Sequence, residues 1–209
     1  MLRANAADAR QADNRSAVIN ETGKYIGTIT RAERLLSKNK ATGLGLSFKD
    51  DSGATANYLD LYTHNASGET LPSNSIVNAL LVCLRTKEVP DGQIEVERWD
   101  KEAKTTYKEL VDGYPILMGK KIGLLLQKEL STNTNTNEDV ERMVIYGLFE
   151  ADTELTASEI LDKATQPTKV PKMVEYLSSH PVNDRRKNKS FSKPQTSYNS
   201  DLPDDDLDF

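Results

Sequence analysis

Apolar and polar residues alternate with period two over several stretches of the chain, and this alternation predicts strands. Gly43–Lys49 (GLGLSFK) places Leu44, Leu46 and Phe48 on one face and Gly45, Ser47 and Lys49 on the other. Asp50-Asp51-Ser52-Gly53 reads as a hairpin turn, after which Ala54–His64 (ATANYLDLYTH) repeats the pattern. There Leu59 and Leu61 face one way, while Tyr58, Asp60 and Tyr62 face the other. Ahead of both, Lys24–Leu36 (KYIGTITRAERLL) mixes Tyr, Ile and Thr in strand order, with Gly27 predicting a bulge or tight bend. On propensity alone its later part, Arg31–Leu36, also suits a helix.

The period then changes. Ile76, Ala79, Leu80, Cys83 and Leu84 recur at helical spacing, and Ser73 or Ser75 can cap a helix ending near Arg85. Cys83 lies on that apolar stripe, which makes it a small core residue rather than a nucleophile. Gln93–Asp100 and Thr105–Leu110 form a charged hairpin around Lys101–Lys104, a wing inserted after the helix, and Val111–Gly119 is a connecting turn built on Gly113 and Pro115. Lys120–Leu130 and Val140–Glu150 are the most apolar strand candidates, joined across the polar STNTNTNED as a long hairpin with a mobile tip. Thr156 or Ser158 opens a short helix, Glu159 standing three residues after Thr156 as in a capping box. Pro167 and Pro171 interrupt the chain beyond it, with a second helical piece over Lys172–Leu177. Tyr25, Tyr146 and Phe149 are assigned to the core.

Composition sets the limits of the folded part. With 209 residues and a mean hydropathy of -0.60, the chain holds one ordinary domain plus tails rather than two cores. Residues 1–20 read as a flexible N-terminal arm, 21–177 as the domain, 178–200 as a basic disordered linker and 201–209 as an acidic tip. Charge divides unevenly among these pieces. The formal total is -5, of which the five aspartates of 201–209 account for -5; Arg185, Arg186, Lys187, Lys189 and Lys193 against Asp184 make the linker +4, leaving -4 on residues 1–177. A polyphosphate partner therefore needs a local basic groove on a mildly acidic body. One cysteine rules out an intramolecular disulfide and a cysteine-rich zinc site. No apolar run approaches membrane-span length and the N-terminus lacks the apolar stretch of a secretory signal, so a cytoplasmic protein is expected.

The last nine residues, DLPDDDLDF, join an acidic block to Leu207 and a terminal Phe209. A ring can fill an apolar pocket on a partner while carboxylates pair with basic groups at its rim. This tip resembles the C-terminus of single-stranded DNA-binding proteins of the bacterial and phage replication types. The order strand, strand, strand, helix, inserted hairpin, strand, strand resembles the five-stranded Greek-key OB-fold, with its helix between the third and fourth strands. Together they resemble phage-encoded single-stranded DNA-binding proteins, over about residues 24–150 for the fold and nine residues for the tip. The resemblance implies an all-β dominated protein that covers single-stranded DNA without regard to sequence during phage replication and recombination. It implies that the tail, through Asp204, Asp205, Asp206, Leu207, Asp208 and Phe209, recruits other replication proteins.

Binding a single strand takes cations for the phosphates and flat rings for the bases. Tyr58 and Tyr62, with Lys49 on the neighbouring strand, are the first candidates. Trp99 in the wing is either exposed for stacking or folded down as a lid, and Lys101, Lys104 and Lys108 on the same wing can follow the backbone. The acidic tip, sharing its sign with phosphate, is expected to compete for the groove when DNA is absent. No membrane and no cofactor are expected, and a homodimer is left open. No enzyme is expected: His64 and His180 have no companions at metal-ligand spacing, and Gly113 to Lys120 has the wrong spacing for a phosphate loop. The rival is a protein-interaction module that uses the same tail and binds no DNA.

Overall fold

Period-two alternation sets which face of each strand meets the core, although Gly43, Gly45 and Ser47, opposite the Leu44, Leu46 and Phe48 face, are buried too. The computed structural model describes residues 18–100, 102–133 and 136–186. In chain order these form β1 (Gly23–Leu36), β2 (Thr42–Asp50), β3 (Thr55–His64), α1 (Ser73–Cys83), the hairpin β4 (Gly92–Asp100) and β5 (Thr105–Gly113), and a 3-10 turn at Pro115–Leu117. The long hairpin β6 (Lys121–Thr132) and β7 (Asp139–Phe149) comes next, then α2 (Ala157–Leu161), α3 (Lys169–Ser179) and β8 (Val182–Asp184). The protein is mostly β, an open and largely antiparallel sheet with few helices.

β1 organises the sheet because it changes neighbours along its length. Its later residues, Gly27–Leu36, pair with β2, while Gly23–Thr28 pair with β6. β2 pairs onward with β3 and β6 with β7, so hydrogen bonding runs β3-β2-β1-β6-β7. No ladder joins β3 to β7 among the described residues. The change of partner explains Gly27, where an added Cβ would fall 2.1 Å from the Lys49 carbonyl oxygen. The bulge itself lies further on, at Thr30, where the β1–β2 register shifts between Ile29 and Arg31. Arg31–Leu36, which propensity alone left open to helix, is strand.

Leu44, Leu46, Phe48, Leu59 and Leu61 point into one core with Ile29, Ile122, Leu124 and Leu126, closed by Leu80 and Cys83 of α1. Each such side chain contributes about 2 kcal/mol by leaving water. α1 begins at Ser73 after Pro72, and neither serine caps it: the Ser75 hydroxyl donates to the Pro72 carbonyl at 2.8 Å. β6 reads as an unbroken apolar run because it is covered on both sides. Leu124 and Leu126 face the main core, whereas Leu125 joins Phe149 of β7 and Val170 and Leu177 of α3 in a second cluster on the outer face.

Several expected boundaries move. Ile19, within the predicted arm, is buried, and its N–H donates to the Thr55 carbonyl at 2.8 Å. Val111–Gly113 finish β5 instead of forming a turn. The second helical piece spans Lys169–Ser179, its Pro171 falling in the first turn where no helical N–H is lost. Within the stretch read as linker, β8 pairs parallel to β6, Val182 opposite Lys128 and Asp184 opposite Leu130. The Thr22 hydroxyl donates to the Pro181 carbonyl and accepts from the Lys128 N–H, which ties β8 to the start of β1.

Candidate nucleic-acid interface

The outer face of β1, β2 and β3 carries the predicted tyrosines. Leu46 pairs with Leu59 and Phe48 with Ala56, so Asn57 and Tyr58 together stand opposite Ser47 in a bulge. Tyr58 adopts φ 58°, a left-handed conformation that is costly for a bulky residue, and its ring is 65% exposed. A bulge aims a side chain away from its regular position. Tyr62, four residues further along and opposite Gly43, is half-buried on the same face, with Asp60 between the two tyrosines.

Beneath Tyr58 lies a charged layer that period-two reasoning passed over. The Arg31 guanidinium carbon sits 5.2 Å from the Tyr58 ring centroid, a cation–π contact. Arg31 Nη1 lies 3.3 Å from Glu33 Oε2 and Nη2 lies 3.6 Å from Asp60 Oδ1. Gly45 makes room for this layer: a Cβ there would fall 3.2 Å from both the Arg31 Nη2 and the Asp60 Oδ1. From the wing, Arg98 donates through Nη2 to Glu33 Oε1 at 2.6 Å and through Nε to Glu109 Oε2 at 3.1 Å. Arg31 Nε and Glu33 Oε2 are buried with no hydrogen-bond partner among the described residues. Burial pushes the Asp60 carboxyl up; Arg31 opposes the rise, Glu33 adds to it, and Arg142 and Arg98 also oppose it. Two guanidinium groups thus face three carboxylates around Tyr58, a balance that does not by itself attract phosphate.

The other predicted residues scatter. Lys49 is exposed and has no ion-pair partner among the described residues. Trp99 is 59% exposed, so it is no lid. Along β4 the buried Ile94 and Val96 alternate with the exposed Glu95, Glu97 and Trp99, which puts Trp99 on the face opposite the one that holds Arg98 against Glu33. Lys108 is engaged at 2.6 Å with Glu95. Lys104 is exposed at the wing's tip, with φ 48°. Lys101 lies outside the described residues, as do Asp204, Asp205, Asp206, Leu207, Asp208 and Phe209.

Cations also collect where the linker was expected to begin. Glu129 on β6 is 4% exposed. It accepts from Arg142 Nη2 at 2.6 Å and Nε at 3.0 Å, accepts from Asn183 Nδ2 at 3.3 Å, and lies 3.5 Å from Arg185 Nη1. The side chains of Arg142 and Arg185 are 60% and 68% exposed, so solvent meets their positive charge while the carboxylate that holds them is covered. Sequence alternation could have found Arg142, opposite Glu129 on the long hairpin, but Arg185 arrives only through the pairing of β8.

Tyr25 is partly buried against the core and Phe149 is fully buried, as expected. Tyr146 is not a core residue. It is 37% exposed, at the β7 bulge between the pairs Leu125–Gly147 and Leu126–Ile145, and its ring stacks on Tyr176. Cys83 is buried in the core, and burial pushes its thiol up to about 12. His64 lines a cleft of about 380 Å³ between α1 and the strand ends, together with Arg34, Asp91 and Tyr114. No group of three or more His, Cys, Asp or Glu residues is placed to hold a metal among the described residues. No described helix is long and apolar enough to cross a membrane. No protein-family model matches the chain, and neither does any curated protein sequence.

Proposed function

We propose that this protein binds single-stranded DNA without regard to sequence, protects it during phage DNA replication and recombination, and recruits partner proteins through its acidic C-terminal tip. The observation that carries this is Tyr58: a ring held outward at a bulge, in a strained backbone conformation, backed by the Arg31 guanidinium. Strain of that kind persists where the surroundings enforce it, and it concentrates at binding surfaces. A base stacked on such a ring contributes about 1–3 kcal/mol. The pairing order β3-β2-β1-β6-β7, with α1 between the third and fourth of these strands in the chain, supports an OB-type barrel into which β4–β5 is inserted. In that fold oligonucleotides lie across the second and third strands, where Tyr58 and Tyr62 stand. The tip's composition, five aspartates with Leu207 and Phe209, supports the recruiting role.

The test is anisotropy of labelled oligo-dT at two salt concentrations, on the full chain and on Tyr58→Ala. Binding that weakens steeply with salt, and a loss on the order of tenfold in the variant, are expected. A second reading, a protein-interaction module with no DNA site, draws on the three carboxylates around Tyr58. Absence of binding at low salt would favour it.

A further inference from the structure

Tyr146, Tyr176 and His180 form a pile of three rings on the outer side of the β6–β7 hairpin. The Tyr146 and Tyr176 centroids are 5.7 Å apart with planes 15° from parallel; Tyr176 and His180 are 4.3 Å apart, again at 15°. Tyr176 and His180 are one helical turn apart on the exposed flank of α3, whose other side carries Val170 and Leu177 into the second cluster. Tyr146 reaches them because the bulge on β7 turns it out, next to Gly147, where an added Cβ would lie 2.4 Å from the Met173 Cε. His180 is fixed at both ends: its Nδ1 lies 3.0 Å from the Tyr176 carbonyl, and its own carbonyl accepts from Gln127 Nε2 at 2.8 Å. All three residues are exposed. Packing the second cluster requires none of these rings.

The same face of β6 that carries Gln127 carries Glu129 two residues on, opposite Arg142, while Gln127 stands opposite Val144. Arg142 and Tyr146 are four residues apart on β7, which places exposed Arg142, and Arg185 with it at Glu129, roughly 13 Å along the hairpin from the rings. Neighbouring charges cancel one another, Lys128 with Glu141 and Arg186 with Asp184 and Asp139. What remains for a ligand is two outward guanidinium groups over one buried carboxylate, along the hairpin from the stacked rings.

We propose that this strip is a second contact for single-stranded nucleic acid, the rings stacking a base and Arg142 and Arg185 taking phosphates further along the same strand. It extends the binding assigned above and rests on that reading. Arg142 stands on β7, and β7 packs against β3, the strand that carries Tyr58, so the two surfaces adjoin. A strand crossing the Tyr58 face can continue past Arg142 onto the ring pile, and a strand too short to span both leaves the pile empty.

The experiment uses the full chain with labelled oligo-dT of about 4 and about 16 nucleotides, the range covered by one OB-type unit. Tyr176→Ala is expected to weaken the longer strand on the order of tenfold and to leave the shorter one unchanged, and Tyr176→Phe, which keeps the ring, should match the wild type on both. Arg185→Gln should reduce the slope of log Kd against log salt by about one for the longer strand only. If Tyr176→Ala binds both lengths as the wild type does while Tyr58→Ala is impaired, the ring pile merely pins α3 to the sheet and this inference fails alone. If the wild type binds neither strand at low salt, both assignments fail. Should Tyr176→Ala lose far-UV circular dichroism, His180→Ala, which removes only the outer ring, decides by the same criteria.

Discussion

Glu159 offers the sharpest quantitative test of how the helices are attached. The carboxylate is 4% exposed and accepts five hydrogen bonds. Oε2 takes the Thr156 N–H at 2.9 Å and its hydroxyl at 2.8 Å, closing the start of α2. Oε1 takes the Thr168 N–H at 2.7 Å, its hydroxyl at 2.8 Å and the Lys169 N–H at 2.9 Å, closing the start of α3. Burial pushes the carboxyl up, but the Thr156 and Thr168 donors outweigh it and hold the group at about 2. A carboxyl moved from 4.5 to about 2 on folding stabilises the native state by about 3 kcal/mol. Because the folded value is the lower one, that contribution is whole above pH 4.5 and disappears as pH falls toward 2. Glu159→Gln removes the titration and turns an NH2 group toward the Thr156 donors. Urea unfolding followed by far-UV circular dichroism should find the variant about 3 kcal/mol less stable at pH 7, with the gap closing steadily between pH 5 and pH 2.5. A gap that stays constant with pH would refute the claim that ionised Glu159 holds both helix starts.

Other substitutions separate packing from binding. Tyr58→Asn, which tolerates φ 58°, should fold at least as stably as the wild type while losing oligo-dT affinity, an opposition visible by running thermal melts beside anisotropy. Gly123→Ala would set a methyl 2.0 Å from the Phe149 ring, and a loss of about 1–3 kcal/mol in urea unfolding is expected. Cys83, with its thiol held at about 12 by burial, should react with a disulfide reagent at pH 8 only as fast as the core opens, so its rate should climb with urea.

The core face of each strand was legible because it is written into the sequence as alternation: β2 and β3 turn Leu44, Leu46, Phe48, Leu59 and Leu61 to the core as assigned, though Gly43, Gly45 and Ser47 on the other face of β2 are covered as well, and Thr156–Glu159 caps a helix as the spacing says. What escaped depends on partners far along the chain. Tyr146 sits in an apolar run that suggests core, and only a one-residue register shift against Leu125 and Leu126 turns it outward. The three residues of β8 have no pattern of their own and become strand because β6 offers them an unpaired edge beyond Leu126, where β1 runs out. Arg31 was hidden by its own surroundings, since a cation between Glu33 and Asp60 looks like one more surface charge until Gly45 and the Tyr58 ring enclose it. The second role of Glu159, at the start of α3, was equally out of reach, because Thr168 is nine residues away and no local motif spans that distance.

β8 also determines where the chain can safely be cut. A stop codon after Leu177, near the border that composition suggests, would delete His180, Asn183 and Arg185 together. Buried Gln127 would lose the carbonyl it donates to, and Glu129 would keep Arg142 as its sole cation. Each orphaned polar group costs about 1–3 kcal/mol, so loss of DNA affinity in such a protein would reflect damage to the sheet rather than absence of the acidic tip. A stop codon after Arg186 leaves every one of those contacts in place, which makes it the proper background for asking what the last twenty-three residues do.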